Sequence, residues 1–410
     1  MNNTMNEINK CEVCGNDNLI PTLNLGLHPM CDDLVPIGDD RICKEYPIEI
    51  LYCNVCRTGH QKFQVPKEDL FPKSYHYRSR FTADVLSGMS GLVESCESKY
   101  GDLTDKIILD IGCNDGSLLD FFKDKGAITI GIEPTDASIE AEHKGHKMYS
   151  DYLTESLAEQ ILKTHGSPDI ITFTNVFAHI EDLEGVLDSL KTLQTKDTKI
   201  VIENHYLGSV LDGNQFDTFY HEHPRTYSYT SFTYMAKTLG IGIESVEFPS
   251  RYGGNIRVFM GLGKSMNSQE TLEKLDSRES SFENQFKELR SNILKWNASK
   301  GSIIKSTFDQ HGKIHAKAFP GRSAILVKML NIDENIISAV YEKPGSLKIN
   351  HYVPGTRIPI CSDDDLLSSD KLNQPIINLA WHISKEISNY LTSSGYKGKI
   401  IDILDQDDFS

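Results

Sequence analysis

Apolar and polar positions along the middle of the chain follow two periods. The runs Lys106-Ile107-Ile108-Leu109-Asp110-Ile111, Ile128-Thr129-Ile130-Gly131-Ile132, Ile170-Ile171-Thr172-Phe173 and Lys199-Ile200-Val201-Ile202-Glu203 are short, nearly continuous and rich in β-branched residues. That is the pattern of strands buried on both faces. Between them apolar positions recur at helical spacing, from Ser117-Leu118-Leu119 after the first run and over Ala137–Ala141 after the second. Strands alternating with helices from about Lys106 to Glu203 predict a parallel sheet with right-handed crossovers. Beyond it, Ser231–Leu239 reads as a helix stopped by Gly240, with strands near Ile241–Val246 and Asn255–Met260. Phe282, Phe286, Leu289, Ile293 and Trp296 share one helical face, which reads as core. From about Ile314 the runs Ser323-Ala324-Ile325-Leu326-Val327 and Gln374-Pro375-Ile376-Ile377-Asn378-Leu379 predict a second, smaller α/β domain.

The first strand leads into Ile111-Gly112-Cys113-Asn114-Asp115-Gly116, a glycine-bearing turn that opens a helix. Gly112 and Gly116 have no Cβ, so backbone can approach a ligand closely. Asp110 closes the strand, and the turn reads Asp-x-Gly-x-Asn-x-Gly, with three residues between its outer glycines. It lacks the GxGxxG spacing that holds a dinucleotide pyrophosphate on a helix N-terminus. Glu133 ends the next apolar run, where a carboxylate can accept both hydroxyls of a ribose. A nucleoside without pyrophosphate fits these features, and S-adenosylmethionine is such a molecule. Asn175 falls just past the third strand, at the edge where doubly wound sheets bind ligands.

The chain of 410 residues exceeds one typical core. The end of the cysteine-bearing segment near Tyr75 and the shift to charged helix formers from Asn267 divide it into residues 1–75, 76–265 and 266–410. A formal charge of −16 argues against phosphate-dominated binding to nucleic acid. No apolar run is long enough to span a bilayer, and Met1 to Lys10 has no hydrophobic signal core. These points predict a cytoplasmic protein. Its nine cysteines then read as metal ligands or buried thiols in place of disulfides.

Four of them form two knuckles, Cys11-Glu12-Val13-Cys14 and Cys53-Asn54-Val55-Cys56. Paired Cys-x-x-Cys motifs place four thiolates for a closed tetrahedral zinc site, which is structural because no coordination position stays open. A redox pair is the rival, and His28, Cys31 and Cys43 are substitute ligands. Tyr75 and Tyr77 lie between this module and the helix that leads to the glycine turn, facing a site or packing on the module. In Tyr220-His221-Glu222-His223 a phenol, two imidazoles and a carboxylate are consecutive. His221-x-His223 could chelate a metal, but no third ligand has suitable spacing. A proton-transfer site accounts for more of the cluster: imidazole titrates near neutrality, carboxylate can orient it and phenol can stabilise an oxyanion. Tyr352-Val353-Pro354-Gly355-Thr356-Arg357-Ile358-Pro359 is a turn-rich loop carrying one cation, fit for phosphate or for a plain link.

The knuckles, the glycine turn, Tyr220–His223 and Tyr352–Pro359, in that order, resemble the S-adenosylmethionine-dependent C-methyltransferases of nucleotide-deoxysugar pathways, which make branched sugars such as mycarose. The resemblance spans nearly the whole chain. It implies an N-terminal zinc-binding module, a central Rossmann-like methyltransferase domain, and a C-terminal Rossmann-like α/β domain that helps hold the sugar nucleotide. It further implies His223 as general base, Tyr220 and Glu222 as its supports, and Tyr75 or Tyr77 as an active-site phenol. Asn175 and His179 match the Asn-x-x-x-His pattern near the cofactor, and Tyr252–Arg257 matches a glycine pair followed by a strand. Pro224-Arg225 and Ala318-Phe319-Pro320-Gly321-Arg322-Ser323 depart from the family wording, at places where a sugar or its nucleotide is read. The implied reaction is methylation beside the ketone of a nucleotide-linked 4-keto-6-deoxy sugar, at carbon 3 or carbon 5; O- or N-methylation and a non-catalytic zinc-ribbon protein are the alternatives.

Overall fold

A computed structural model describes residues 5–66, 70, 78–81, 83–367 and 370–409. The chain forms two compact units, and they are interleaved in sequence. The first gathers Met1–Pro21, Leu51–Val210 and Glu222–Glu283; the second gathers Thr22–Ile50, Leu211–His221 and Asn284–Ser410.

In the first unit the knuckle region supplies strand β1 (Thr58–Gln61), and helix α1 (Ala83–Tyr100) leads to the sheet. Then follow β2 (Ile107–Ile111), α2 (Ser117–Asp124), β3 (Ile128–Ile132), α3 (Ala137–His143), β4 (Lys147–Tyr149) and α4 (Glu155–His165). The second half comprises β5 (Ile170–Thr174), α5 (Leu183–Leu193), β6 (Lys199–His205), β7 (Arg225–Thr226), α6 (Tyr229–Thr238), β8 (Gly242–Glu247) and β9 (Asn255–Gly261).

Seven strands pair in the order β8–β9–β6–β5–β2–β3–β4. β6, β5, β2, β3 and β4 run parallel, while β9 runs antiparallel to both β6 and β8. The near-continuous apolar strands are thus the central ones, covered on both faces. Val85, Met89, Leu92, Val93 and Cys96 of α1 bury against Ile108, Leu118, Phe122, Val201 and Phe259. Leu118, Leu119 and Phe122 are the buried stripe of α2, as their spacing requires. α6 begins two residues earlier than Ser231. Ser228 caps it, accepting from the Ser231 N–H while the Ser231 hydroxyl accepts from the Ser228 N–H.

The second unit is built on α7 (Phe282–His311), whose N-terminal end lies in the first. Phe286, Leu289, Ile293 and Trp296 are all buried. The Trp296 indole N–H donates to the Ile403 carbonyl at 2.8 Å. After it come β10 (Ile314–Lys317), α8 (Ser323–Met329), β11 (Ile337–Glu342), β12 (Ile360–Ser362), β13 (Ile376–Asn378) and β14 (Ile400–Asp402). The strands pair in parallel in the order β12–β11–β10–β13–β14, a second Rossmann-like sheet. Among the described residues no helix is long and apolar enough to cross a membrane.

Candidate active site

β2 delivers Asp110 to the carboxyl edge of the sheet, and the chain then turns through left-handed positions. Gly112 has φ 70°, Asn114 51° and Gly116 74°. Asparagine is among the few residues with a side chain that visit this region at small cost, so Asn114 continues the glycine pattern. A Cβ on Gly112 would stand 2.5 Å from Val176 Cγ1, and one on Gly116 would stand 2.9 Å from Ala141 Cβ. Both glycines are therefore required by space as well as by backbone angle.

Glu133 holds the turn. Its Oε2 accepts from the Asn114 N–H at 3.0 Å, while Oε1 accepts from the N–H and hydroxyl of Thr135 at 2.9 and 2.6 Å. Asn114 Oδ1 in turn accepts from the Ser79 N–H at 3.1 Å. The Asp110 carboxyl is buried and accepts from the Thr172 hydroxyl at 2.7 Å across the parallel pair. Burial pushes its pKa up to about 7, which the nearby charge of Glu133 reinforces and the Thr172 hydrogen bond opposes. Asn175 follows β5 at φ 54°. Its Oδ1 accepts from Asn255 Nδ2 at 3.1 Å, whereas its own Nδ2 is buried with no partner among the described residues. A backbone turn stripped of Cβ atoms beside an open buried amide fits a nucleoside-bearing methyl donor.

The same edge gathers three imidazoles. The rings of His179 and His223 are 4.7 Å apart, and those of His205 and His223 are 5.3 Å apart. His179 Nδ1 lies 2.7 Å from the Glu222 carbonyl, which it reaches as donor. Glu222 and His223 are buried. His205 ends β6 opposite Asn255 of β9. Glu203, two residues earlier, accepts from Asn255 Nδ2 at 2.9 Å and Arg257 Nε at 2.7 Å. His205 stands outside the sequence motifs that mark the other site residues. The available signal was its place at the carboxyl end of a predicted strand, the position that also marked Asn175.

Tyr220 and His221 belong to the second unit and Glu222 and His223 to the first. Tyr220 is half-buried. His221 Nε2 lies 3.0 Å from the Tyr46 carbonyl. Burial lowers the His221 pKa to about 4, against a raising hydrogen bond to that carbonyl, so His221 stays neutral. Tyr75 and Tyr77 lie outside the described residues.

Cys11, Cys14, Cys53 and Cys56 bring their four Sγ atoms within 4.8 Å of one another, and among the described residues theirs is the group that fits a metal ion. Cys11 and Cys56 approach to 3.3 Å and Cys14 and Cys53 to 3.6 Å. Three of the four are buried. The set suits tetrahedral zinc held by sulfur alone. His28, Cys31 and Cys43 lie elsewhere: His28 Nε2 is 2.8 Å from the Leu25 carbonyl, and Cys43 Sγ donates to the Asp33 carbonyl at 3.3 Å.

In the second unit the turn after β10 holds Ala318 at φ 60°. Arg322 pairs with Asp217 (Nε to Oδ2, 3.3 Å), donates to the Thr218 hydroxyl at 3.0 Å and lies over the Trp381 ring at 5.2 Å. Arg322 Nη2 and Asp217 Oδ1 are buried and lack partners among the described residues. Arg357 instead donates through both terminal nitrogens to the carbonyls of Asp39 and Arg41, at 2.6 and 3.1 Å. It ties a loop together and leaves little of its guanidinium for phosphate.

A Rossmann-like sheet with this turn, beside a four-sulfur zinc site, defines an S-adenosylmethionine-dependent methyltransferase carrying structural zinc. Family models match three consecutive stretches: a zinc binding domain over residues 11–71, a methyltransferase domain over 76–246 and a C-methyltransferase C-terminal domain over 250–401. The three matches follow one another along nearly the whole chain and support an S-adenosylmethionine-dependent C-methyltransferase. C-methyltransferase NovU of Streptomyces niveus is 23% identical over 394 residues, covering 94% of this chain and 93% of that protein. Magnesium protoporphyrin IX methyltransferase of Synechocystis is similar over 43% of this chain and 83% of its own, with 16% identity and a TM-score of 0.35. For an S-adenosylmethionine-dependent methyltransferase of Clostridium acetobutylicum the figures are 43% and 92%, 14% identity and 0.34.

Proposed function

We propose that the protein methylates a nucleotide-linked 4-keto-6-deoxy sugar at carbon 3, with His223 as general base. The observation that carries this reading is the imidazole cluster beside the glycine turn, with His179 and His205 flanking His223 at 4.7 and 5.3 Å. A ring carbon becomes a nucleophile only after losing a proton, and a ketone next to it makes that proton acidic. Oxygen and nitrogen acceptors have less need of such a base, so the cluster favours carbon. His223 takes the proton, Glu222 supports the histidines, and Tyr220, with Tyr75 or Tyr77, donates a hydrogen bond to the enolate oxygen as its charge develops.

S-adenosylmethionine, when bound, supplies the electrophilic methyl group. Gly112, Asn114 and Gly116 would lie against it, Glu133 would receive the ribose, Asn175 and His179 would border its reacting end, and Asp110 would set the turn that holds it. Alignment of donor and enolate is then much of the catalysis. We assign residues 1–75 to zinc binding, 76–265 to the methyl donor and 266–410 to the sugar nucleotide. The open buried atoms of Arg322 and of its partner Asp217, both in the second unit, support a polar ligand there.

The test is His223→Ala, with S-adenosylmethionine binding measured separately by calorimetry. Binding is expected to persist while methyl transfer to 4-keto nucleotide sugars is lost. Turnover near the wild-type rate would remove His223 from the role of base.

A further inference from the structure

Arg225, which departs from the family wording, is wholly buried. Its Nη1 pairs with Glu12 Oε2 at 2.7 Å, its Nε donates to the Tyr227 hydroxyl at 3.0 Å, and both terminal nitrogens reach the Glu181 carbonyl at 3.3 Å. A guanidinium engaged in this way is not reading a sugar phosphate. Its carboxylate partner sits inside the first zinc knuckle, between Cys11 and Cys14. Glu12 Oε2 also accepts from Gln64 Nε2 at 2.8 Å and lies 3.5 Å from His60 Nδ1, and His60 Nε2 lies 3.3 Å from Cys11 Sγ.

The backbone repeats the link. β7 pairs antiparallel with β1, Arg225 opposite His60 and Thr226 opposite Gly59. The Gln61 N–H donates to the Pro224 carbonyl at 2.8 Å. The hydroxyls of Ser228 and Ser231, at the start of α6, point at the Cys56 carbonyl at 3.3 and 3.2 Å. The segment following His223 is thus fastened to both knuckles, by the ion pair of a wholly buried arginine at one and hydroxyls at the other.

We infer that Glu12 is a positioning residue: through Arg225 it fixes the segment carrying His223, so that the zinc module sets the placement of the base. This rests on the reading of His223 given above. It supplies a physical reason for a closed metal site in this enzyme, because a small sulfur-bound core is a rigid anchor that a loop lacks.

The experiment uses full-length, zinc-loaded protein with Glu12→Gln and, separately, Arg225→Lys. Metal content, calorimetric S-adenosylmethionine affinity and amide hydrogen exchange over residues 222–227 are measured. Turnover is followed with a dTDP- or GDP-linked 4-keto-6-deoxyhexose, whichever the wild type methylates. Zinc content and donor affinity are expected to hold, and exchange over 222–227 to quicken while β2 and β5 stay protected. kcat is expected to fall about tenfold or more with KM little changed, the scale of supporting-residue effects at metal sites. Protection of β2 and β5 separates this result from a collapsed fold. Unchanged exchange over 222–227 in both variants overturns the clamp. Quickened exchange with full kcat overturns the positioning role of Glu12, whereas full turnover in His223→Ala overturns the reading of His223 as base on which it rests.

Discussion

Burial of the Asp110 carboxyl gives one residue a pH signature of its own. Its ordinary pKa near 3.8 is pushed up to about 7 in the fold. Between those values the folded state holds the extra proton, so stability falls as pH rises through this window. Asp110→Asn keeps an oxygen to accept from Thr172 and removes the titration. The variant is expected to match wild type near pH 4 and to exceed it by about 2–4 kcal/mol at pH 8, by urea unfolding without methyl donor. At this scale the sequence was informative where chemistry and backbone coincide. Asn114 sits at φ 51° because it replaces a glycine in a left-handed turn. His205 and the Glu12–Arg225 pair were not legible, since each partner is distant in sequence and joins only when strands pair. Arg225→Ala would take the cation from the partly buried Glu12 carboxylate, which keeps Gln64 as a donor, and a loss of about 1–3 kcal/mol in unfolding free energy is expected.

Among the elements, the strand–turn–helix from Ile107 to Asp124 depends most on single positions. Gly116→Ala combines a left-handed backbone, costing about 1–2 kcal/mol, with an approach of 2.9 Å to Ala141 Cβ. It is expected to lower Tm and to weaken S-adenosylmethionine binding in calorimetry; wild-type affinity would separate the turn from the donor. The elements were largely readable because the central strands are buried on both faces and so lack the alternation of a half-exposed sheet. α6 starts ahead of its apolar periodicity because Ser228 and Ser231 cap each other, and apolar periodicity does not register a cap. Ser228→Ala should cost about 1 kcal/mol through the lost cap, measured as a shift in the unfolding midpoint.

For the whole molecule, two Rossmann-like sheets were legible as two alternations of strand and helix. Their interleaving was not. Residues 22–50 group with the second unit, where Val35–Pro36 pairs with His351–Tyr352, a contact that no local pattern announces. The knuckles, by contrast, were recognisable from spacing alone because zinc chemistry fixes it. Loss of one zinc equivalent in Cys53→Ser/Cys56→Ser is expected by metal analysis, and unchanged content would refute the four-sulfur site. The reaction itself is tested most directly without methyl donor, by incubating the protein with a 4-keto nucleotide sugar in deuterated water. Deuterium is expected at the carbon beside the ketone with wild type and none with His223→Ala. Methyl transfer by wild type with no such exchange, and with the methyl found on oxygen, would contradict methylation at carbon.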